Sequence, residues 1–382
     1  MNLEQLLKVY EKHFYLLDTG AIEVALGAVA ANRLPGDPVW LLLIGPPASG
    51  KTEILTSLSG LPDIHEVSTI TQAGLLTLPP KGADGKAGGL LAAIGELGII
   101  VCKDFTSILS ESPDSRTALM AALREIYDGS WVRHLGSQGG KRVGWSGKVG
   151  VIGGVTEVID LHSAAIGSMG ERFIFFRLPE HNHEQRLELG RSSMKLTGHQ
   201  SEMRIELAEA VATFFDGLPK VKNAEMSPER AERLVLLADL ATRCRSSVER
   251  SGNDRQIELV PQAEAIGRLQ SELVQLGRGL SYIGVEERRV DQLLTKVALD
   301  GMSKTRRAIV DLFATNDPDT KFTSRDGADR LQLPTPVTTR ALEDLAAHGV
   351  IERTGSDGSH YWRSTRWLRD RWDQLIFCVS NY

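Results

Sequence analysis

The fold is decided by a short apolar run and the glycine-rich loop that follows it: Val39-Trp40-Leu41-Leu42-Leu43-Ile44, then Gly45-Pro46-Pro47-Ala48-Ser49-Gly50-Lys51-Thr52. The helical stretch Glu53–Leu58 comes next. In this strand–loop–helix setting, the loop turns its backbone N–H groups around phosphate oxygens at the positive end of the helix. We therefore predict a nucleotide site in which Lys51 contacts the β- and γ-phosphates of ATP and Thr52 binds Mg²⁺.

A second apolar run ends in an acidic residue: Ile99-Ile100-Val101-Cys102-Lys103-Asp104. A carboxylate at the end of a neighbouring strand can hold Mg²⁺ through water, so we predict that Asp104 completes the metal site. The alternative is that Asp104 is an ordinary aspartate of the turn after a strand.

Apolar runs alternate with helical stretches through the first half of the chain, at Val39–Ile44, Ile99–Cys102, Val149–Ile152 and Phe173–Leu178. This alternation predicts an α/β fold with a parallel-sheet nucleotide-binding core at residues 35–182, after an N-terminal helical segment at 1–34. Long amphipathic stretches predict a helical domain at 183–300. At 301–382, three helices and two strand-like runs around Gly355–Gly358 predict a winged helix-turn-helix domain.

The composition is that of an ordinary folded protein, with 42% hydrophobic and 24% charged residues among 382. The three widely spaced cysteines predict no disulfide framework and no zinc site, which favours a cytoplasmic location. The apolar run Val39–Ile44 is too short to cross a bilayer, so we expect no membrane role. The net charge of −5 means that any contact with nucleic acid must come from a local basic patch.

Two further stretches follow the nucleotide motifs: Val149-Gly150-Val151-Ile152-Gly153-Gly154-Val155-Thr156 and Gly170-Glu171-Arg172-Phe173. With them, residues 20–300 resemble the AAA+ superfamily, and most closely the branch of the minichromosome maintenance helicases and related mobile-element replication ATPases. The first stretch resembles the sensor-1 strand, which implies that Thr156 orients water near the γ-phosphate. The second resembles the arginine-finger element, which implies that Arg172 acts on the nucleotide of a neighbouring subunit. Otherwise Arg172 is a surface residue paired with Glu171.

The resemblance extends to the helical domain, where Ile266-Gly267-Arg268-Leu269 is similar to the sensor-2 segment of the family's lid. It implies that Arg268 reaches the nucleotide of its own subunit, with Arg243, Arg245 and Arg278 as alternatives. One departure concerns the residue after Asp104. The family usually has a water-polarising glutamate there, and this chain has Phe105. Glu111 and Glu157 are the nearest substitutes, and each has an alternative role as an exposed or capping acid.

The segment Ser130–Lys148 resembles the pre-sensor-1 β-hairpin of the helicase branch, with two strand-like runs around a glycine-rich tip. It has four cations and no acid: Arg133, Lys141, Arg142 and Lys148. Cations on such a hairpin suit the phosphate backbone of DNA in a ring channel. A purely structural hairpin is the alternative, and Trp131 and Trp145 are expected to pack across it rather than stack on bases.

These features together favour an ATP-dependent, ring-forming DNA motor, a helicase or translocase that acts in replication of a chromosome or mobile element. The expected partners are DNA, further copies of the chain in a hexameric ring, and replication proteins. A nucleotide-switched DNA-binding loader or regulator with slow hydrolysis is the alternative, favoured by Phe105. Protein-remodelling and defence-type ATPases also remain open, and the C-terminal domain is equally suited to DNA or protein.

Overall fold

The computed structural model describes residues 1–77, 88–135, 141–162, 171–219, 226–252, 255–355 and 360–379. The strands are β1 (Trp40–Ile44), β2 (Ile64–Val67), β3 (Leu97–Cys102), β4 (Ser130–Leu135), β5 (Lys141–Ser146), β6 (Lys148–Val155), β7 (Ile174–Arg177), β8 (Glu249–Arg250), β9 (Ile257–Leu259), β10 (Ile351–Thr354) and β11 (Tyr361–Ser364).

The helices of the first half are α1 (Leu3–His13), α2 (Gly20–Arg33), α3 (Lys51–Thr56), α4 (Gln72–Leu75), α5 (Leu90–Ile94), α6 (Thr106–Leu109), α7 (Pro113–Tyr127), α8 (His183–Lys195) and α9 (Gln200–Asp216). Those of the second half are α10 (Pro228–Arg245), α11 (Ile266–Tyr282), α12 (Glu287–Asp300), α13 (Lys304–Thr315), α14 (Ser324–Leu331), α15 (Thr335–Ala347) and α16 (Arg366–Val379).

The core is a five-stranded parallel sheet in the order β2-β3-β6-β1-β7. The predicted mixed α/β core with a parallel sheet is therefore confirmed. Because parallel strands end at the same edge, the residues that follow β1, β3 and β6 lie at one carboxyl edge of the sheet. β1 and β3 are separated by β6. The sequence analysis missed β2, whose four residues lie at the edge of the sheet and are not buried.

Helix α2 belongs to the core, although the sequence placed it in an N-terminal lead-in. Every residue from Gly20 to Asn32 is buried, because α2 lies between the sheet and α11. The backbones of α2 and α11 come close where Gly27 and Gly279 meet. A Cβ at Gly279 would collide with the Gly27 carbonyl oxygen and would lie 2.8 Å from the Cβ of Ala31. Glycine is required for this close crossing.

The predicted helical region after β7 consists of α8 to α12, interrupted by the small antiparallel hairpin of β8 and β9. In the C-terminal part, α13, α14 and α15 precede the antiparallel pair β10 and β11, in the predicted order. Helix α16, which follows, was not predicted. Across the described residues, no helix has the length and apolar character that a bilayer span requires.

Candidate functional site

The glycine-rich loop lies between β1 and α3, as its sequence predicts. Gly50 has φ of 85°, and Ala48 has φ of 62°, an unusual value for alanine. The ammonium of Lys51 donates hydrogen bonds to the carbonyl oxygens of Gly45 and Pro46, each at 2.7 Å, and to Ser49 Oγ at 3.1 Å. Lys51 is buried, whereas the side chain of Thr52 and the loop residues Pro46, Pro47 and Ala48 are exposed.

Burial and two carboxylates at the carboxyl edge act on the pKa of Lys51 in opposite directions. Burial lowers the pKa of Lys51, while the carboxylates of Asp104 and Glu157 act in the opposite direction. These two acids therefore lie within electrostatic reach of the lysine. Strand β6 lies close to α3 at Gly154. A Cβ at this glycine would lie only 3.2 Å from Leu55 Cδ1 and 3.7 Å from Lys51 Cβ.

Asp104 and Thr156 are joined through Thr106, a residue that the sequence analysis did not single out. The Thr106 N–H donates to Asp104 Oδ1 at 3.0 Å, and Thr106 Oγ1 accepts from the Thr156 N–H at 3.2 Å. The Oγ1 atom of Thr156 is buried and has no hydrogen-bond partner among the described residues. The carboxylate of Asp104 is exposed. Thr52 and Asp104 are thus an accessible hydroxyl and an accessible carboxylate, which fits the oxygen-ligand preference of Mg²⁺.

Phe105 is turned into the core and is 1% exposed, with its ring 5.2 Å from that of Phe173. The position after Asp104 therefore presents no group to the site. Of the two substitute acids, Glu157 is the one whose charge reaches Lys51. Its carboxylate lies 3.8 Å from the Lys304 ammonium. Glu111 is exposed just beyond α6 and has no such effect on Lys51.

A cavity of about 460 Å³ opens beside the glycine-rich loop. Residues 48–54, of the loop and α3, form one wall of this cavity. The other walls come from segments that are far away in the sequence. These are residues 13–18 at the end of α1 and the link to α2, residues 178–181 after β7, and helix α8. The linings include Phe14, Tyr15, Leu16, Leu17, Leu178, Pro179, Leu189 and Leu196. A largely apolar cavity beside this glycine-rich loop has the character of a site for an aromatic base, and the sequence offered no signal for it.

Arg172 lies two residues before β7 and so at the amino edge of the sheet, opposite the loop. Its guanidinium is 6% exposed and pairs with the Asp128 carboxylate at 2.8 and 3.0 Å. It also lies 5.4 Å from the centre of the Tyr127 ring. The partner of Arg172 is therefore Asp128, and not Glu171, the partner that the surface alternative named.

Arg268 lies at the same amino edge. It lines a cavity of about 490 Å³ together with Asp37, Tyr127, Asp128 and Lys148. Asp37 precedes β1 and Lys148 begins β6, so the length of the sheet separates this cavity from Lys51. The structure thus does not place Arg268 beside Lys51 of the same chain. Instead, the structure brings Arg268 close to the surroundings of Arg172.

The predicted hairpin is present as the antiparallel pair β4 and β5, with Trp131 opposite Trp145. Both tryptophans are buried, and Trp145 Nε1 donates to the Gly95 carbonyl at 2.7 Å. They pack in the protein, as expected. The tip, residues 136–140, and the side chain of Lys141 lie outside the described residues.

The cations of the hairpin differ in their surroundings. Arg133 donates to the carbonyl oxygens of Gln72 and Leu76 at 3.1 and 2.7 Å. Lys148 donates to the Leu34 carbonyl at 2.7 Å, and burial lowers the pKa of Lys148 to about 8. Both side chains thus hold the protein's own backbone. The side chain of Arg142 is exposed.

A scan against protein-family models finds no match, and a search of the curated proteins finds no significant one. The candidate residues lie at the two edges of the sheet. One edge brings together Lys51, Thr52, Asp104, Thr156 and Glu157, and the other brings together Arg172 and Arg268.

Proposed function

We propose that this chain is an AAA+ ATPase that assembles into a ring and moves DNA. The observation that carries the proposal is the common edge of Lys51, Asp104 and Thr156. These residues follow three neighbouring strands, with the strand of Thr156 between the other two. That order supports a single site made of the glycine-rich loop, the Asp104 carboxylate and the buried Thr156 hydroxyl.

The residues of this site have distinct roles in the proposed hydrolysis. The loop N–H groups and Lys51 bind the phosphates, and the apolar cavity holds the base. Thr52 and Asp104 hold Mg²⁺, which when bound neutralises part of the phosphate charge. The Thr156 hydroxyl orients the attacking water. Glu157 accepts a proton from this water, because position 105 is a phenylalanine and has no acid.

The amino edge supports the ring. Arg172 and Arg268 lie too far from Lys51 of the same chain to act on its nucleotide, but their edge can face the nucleotide of a neighbour. Such arginines neutralise charge that develops on the γ-phosphate. The site is then shared between two subunits, and a closed ring, a hexamer in this proposal, completes every site.

The hairpin and the C-terminal domain are the parts considered for contact with DNA. Lys141 and Arg142 are the cations assigned to the DNA backbone, since Arg133 and Lys148 are engaged with backbone carbonyls. We assign α13 to α15 with β10 and β11 as a winged helix. On its third helix, Glu343 and Asp344 form ion pairs with Arg250, which favours contact with protein over reading of a DNA groove.

The second candidate is a nucleotide-switched loader or regulator that binds DNA and hydrolyses ATP slowly. The buried position of Phe105 favours it, because the acid of fast hydrolysis is missing there. Glu157 does not act as a base in this candidate, and it remains an exposed acid near Lys304, whose ion-pair partner is Glu180.

The test is ATP turnover with and without single-stranded DNA, together with the mass of the assembly by light scattering. Turnover of about 1 s⁻¹ or more, stimulated by DNA in an ATP-dependent oligomer, is expected of the motor. Slow turnover with ATP-dependent DNA binding would favour the loader. A protein that binds no ATP, or stays monomeric with ATP and DNA, contradicts the proposal.

A further inference from the structure

Glu171, the residue before Arg172, forms an ion pair with the guanidinium of Arg245 at the end of α10. The Arg245 side chain is 3% exposed, and it also contacts the Glu264 carboxylate at 2.6 Å. Two acids from distant parts of the chain therefore meet one buried arginine. Removal of one partner from such a pair leaves the other charge buried and uncompensated, which is costly.

The backbone of Glu171 shows that this contact has a conformational cost. Its φ is 44°, in the left-handed region that non-glycine residues seldom adopt. Such a conformation persists when surrounding contacts impose it. Here the ion pair with Arg245 draws the Glu171 side chain toward the helical region, while Arg172 turns to Asp128 and Tyr127. The two neighbouring side chains thus make separate contacts.

The C-terminal part of the chain also contacts the end of α10, where Arg245 lies. One nitrogen of Arg306, on α13, donates to the carbonyl oxygens of Cys244, Arg245 and Ser246 at 3.3, 3.0 and 2.6 Å. The other terminal nitrogen pairs with Asp344 of α15 at 2.8 Å. The end of α10 is therefore held on one side by Glu171 and on the other by α13.

We infer that Glu171 and Arg245 are positioning residues that fix the backbone of Arg172, the residue that the proposed ring assigns to the nucleotide of the neighbouring subunit. The inference rests on the proposed shared site. Glu171 does not touch that nucleotide, and acts by fixing the backbone from which Arg172 extends. Because Arg306 holds the end of α10, the C-terminal domain is a part of the support of Arg172.

Mixtures of two variants test this role, with Glu171→Gln as the main variant and the exposed Glu258→Gln as its control. Glu171→Gln keeps the side chain's shape and removes its charge. Its melting temperature is measured first, then its ATP affinity and its turnover. We expect ATP affinity within about two-fold of the unaltered protein, and turnover lower by at least ~10-fold, because an arginine of this kind contributes several orders of magnitude. Glu258→Gln should change neither.

The mixtures then separate a defect of Arg172 from general damage. Glu171→Gln subunits mixed with Lys51→Ala subunits should recover activity, because the latter still supply a well-placed Arg172 to an intact nucleotide site. Mixed with Arg172→Ala subunits, they should not recover. The reverse pattern, recovery in neither mixture, or full activity of Glu171→Gln alone would overturn the inference.

Two further measurements keep the outcomes distinct. The mixture of Lys51→Ala with Arg172→Ala must regain activity if sites are shared, and its failure would contradict both the shared site and this inference. If Glu171→Gln does not fold, Arg245→Lys enters the same mixtures. That variant keeps the positive charge and loses the planar guanidinium, so the same selective recovery is expected. Recovery that does not distinguish the two partners would again overturn the inference.

Discussion

The hydroxyl of Tyr127 donates a 3.0 Å hydrogen bond to the carboxyl group of Glu272, which is 1% exposed. This contact joins the end of α7 to the middle of α11, beside the cavity that Arg268 lines. Burial raises the pKa of Glu272 to about 8. The group is therefore mostly protonated in the folded protein at neutral pH.

The first prediction concerns the pH dependence of stability. The pKa of Glu272 rises on folding from 4.5 to about 8, so the folded protein binds more protons between these values. Its contribution to the free energy of unfolding is complete at low pH. It is lost as pH rises through this window, by at most about 1.4 kcal/mol per pH unit. Glu272→Gln should flatten the dependence and Glu258→Gln should not, as measured by urea unfolding from about pH 5 to pH 8. An unchanged slope in Glu272→Gln would contradict the assignment.

The second prediction concerns Lys51, whose ammonium donates to atoms of the glycine-rich loop. Lys51→Ala should weaken ATP binding by about 10- to 100-fold, because charge-assisted hydrogen bonds contribute roughly 1.5–3 kcal/mol. Titration with a fluorescent ATP analogue measures the affinity, and circular dichroism checks the fold. Lys103→Ala, a lysine at the same edge that pairs with Glu66, is the control. Equal affinities of the two variants would argue against the site.

The third prediction concerns the effect of three acids, Asp104, Glu157 and Glu111, on ATP turnover. Asp104→Asn should remove turnover that depends on Mg²⁺. Glu157→Gln should lower turnover at least ~10-fold with little change in ATP affinity, since it removes a proton acceptor. Glu111→Gln should behave as the unaltered protein, because Glu111 lies away from Lys51. Steady-state turnover across Mg²⁺ concentrations distinguishes the three variants. Fast turnover in Glu157→Gln would show that another group accepts the proton.

The fourth prediction concerns the hairpin. Replacement of Lys141 and Arg142 with alanine should weaken binding of single-stranded DNA equally for all sequences. The log–log salt dependence should become shallower by about 0.7 for each phosphate that the variant no longer binds. Stimulation of turnover by DNA should also disappear, while basal turnover is kept. Binding is measured at several salt concentrations.

The control for the hairpin is the double variant Lys8→Ala and Lys12→Ala, which removes the same charge from α1. Its salt dependence should match that of the unaltered protein. If the salt dependence of the hairpin variant also equals that of the unaltered protein, the hairpin has a structural role and does not bind DNA.

The fifth prediction concerns the crossing of α2 and α11. Gly279→Ala should destabilise the fold by about 1–3 kcal/mol or more, because the methyl group has no space between the two backbones. The control is Gly190→Ala, on α8, where a Cβ meets nothing within 4 Å. That change should stabilise the helix by up to about 1 kcal/mol. Urea unfolding compares the two, and similar results would contradict the packing described.

The sequence predicted the parts of the fold that depend on local pattern. β1 and β3 are nearly continuous apolar runs because central parallel strands are buried on both faces. The glycine-rich loop was predicted from its fixed spacing between an apolar strand and a helix, and it lies between β1 and α3. By contrast, β2 was missed, since an edge strand as short as Ile64–Val67 carries little apolar signal.

The sequence could not predict what depends on distant segments. The cavity beside the loop takes walls from residues 13–18 and 178–181, which only the folded chain brings together. The position of Arg268 is a second example. Helix α11 places it at the amino edge of the sheet, which its local sequence does not indicate. Lys148 looked like a cation for DNA, because the sequence could not reveal its bond to the Leu34 carbonyl.

The close crossing of Gly27 and Gly279 determines how this chain can move. Helix α2 packs on the sheet, so a helix whose backbone is pressed against α2 cannot swing independently of it. Helix α12 is also tied to the sheet, because Asp300 accepts a 2.7 Å hydrogen bond from the Arg177 N–H of β7. Both helices are thus packed against, or hydrogen-bonded to, the core that carries the glycine-rich loop. In the proposed ring, motion would therefore have to occur between whole subunits, at the surfaces where they meet.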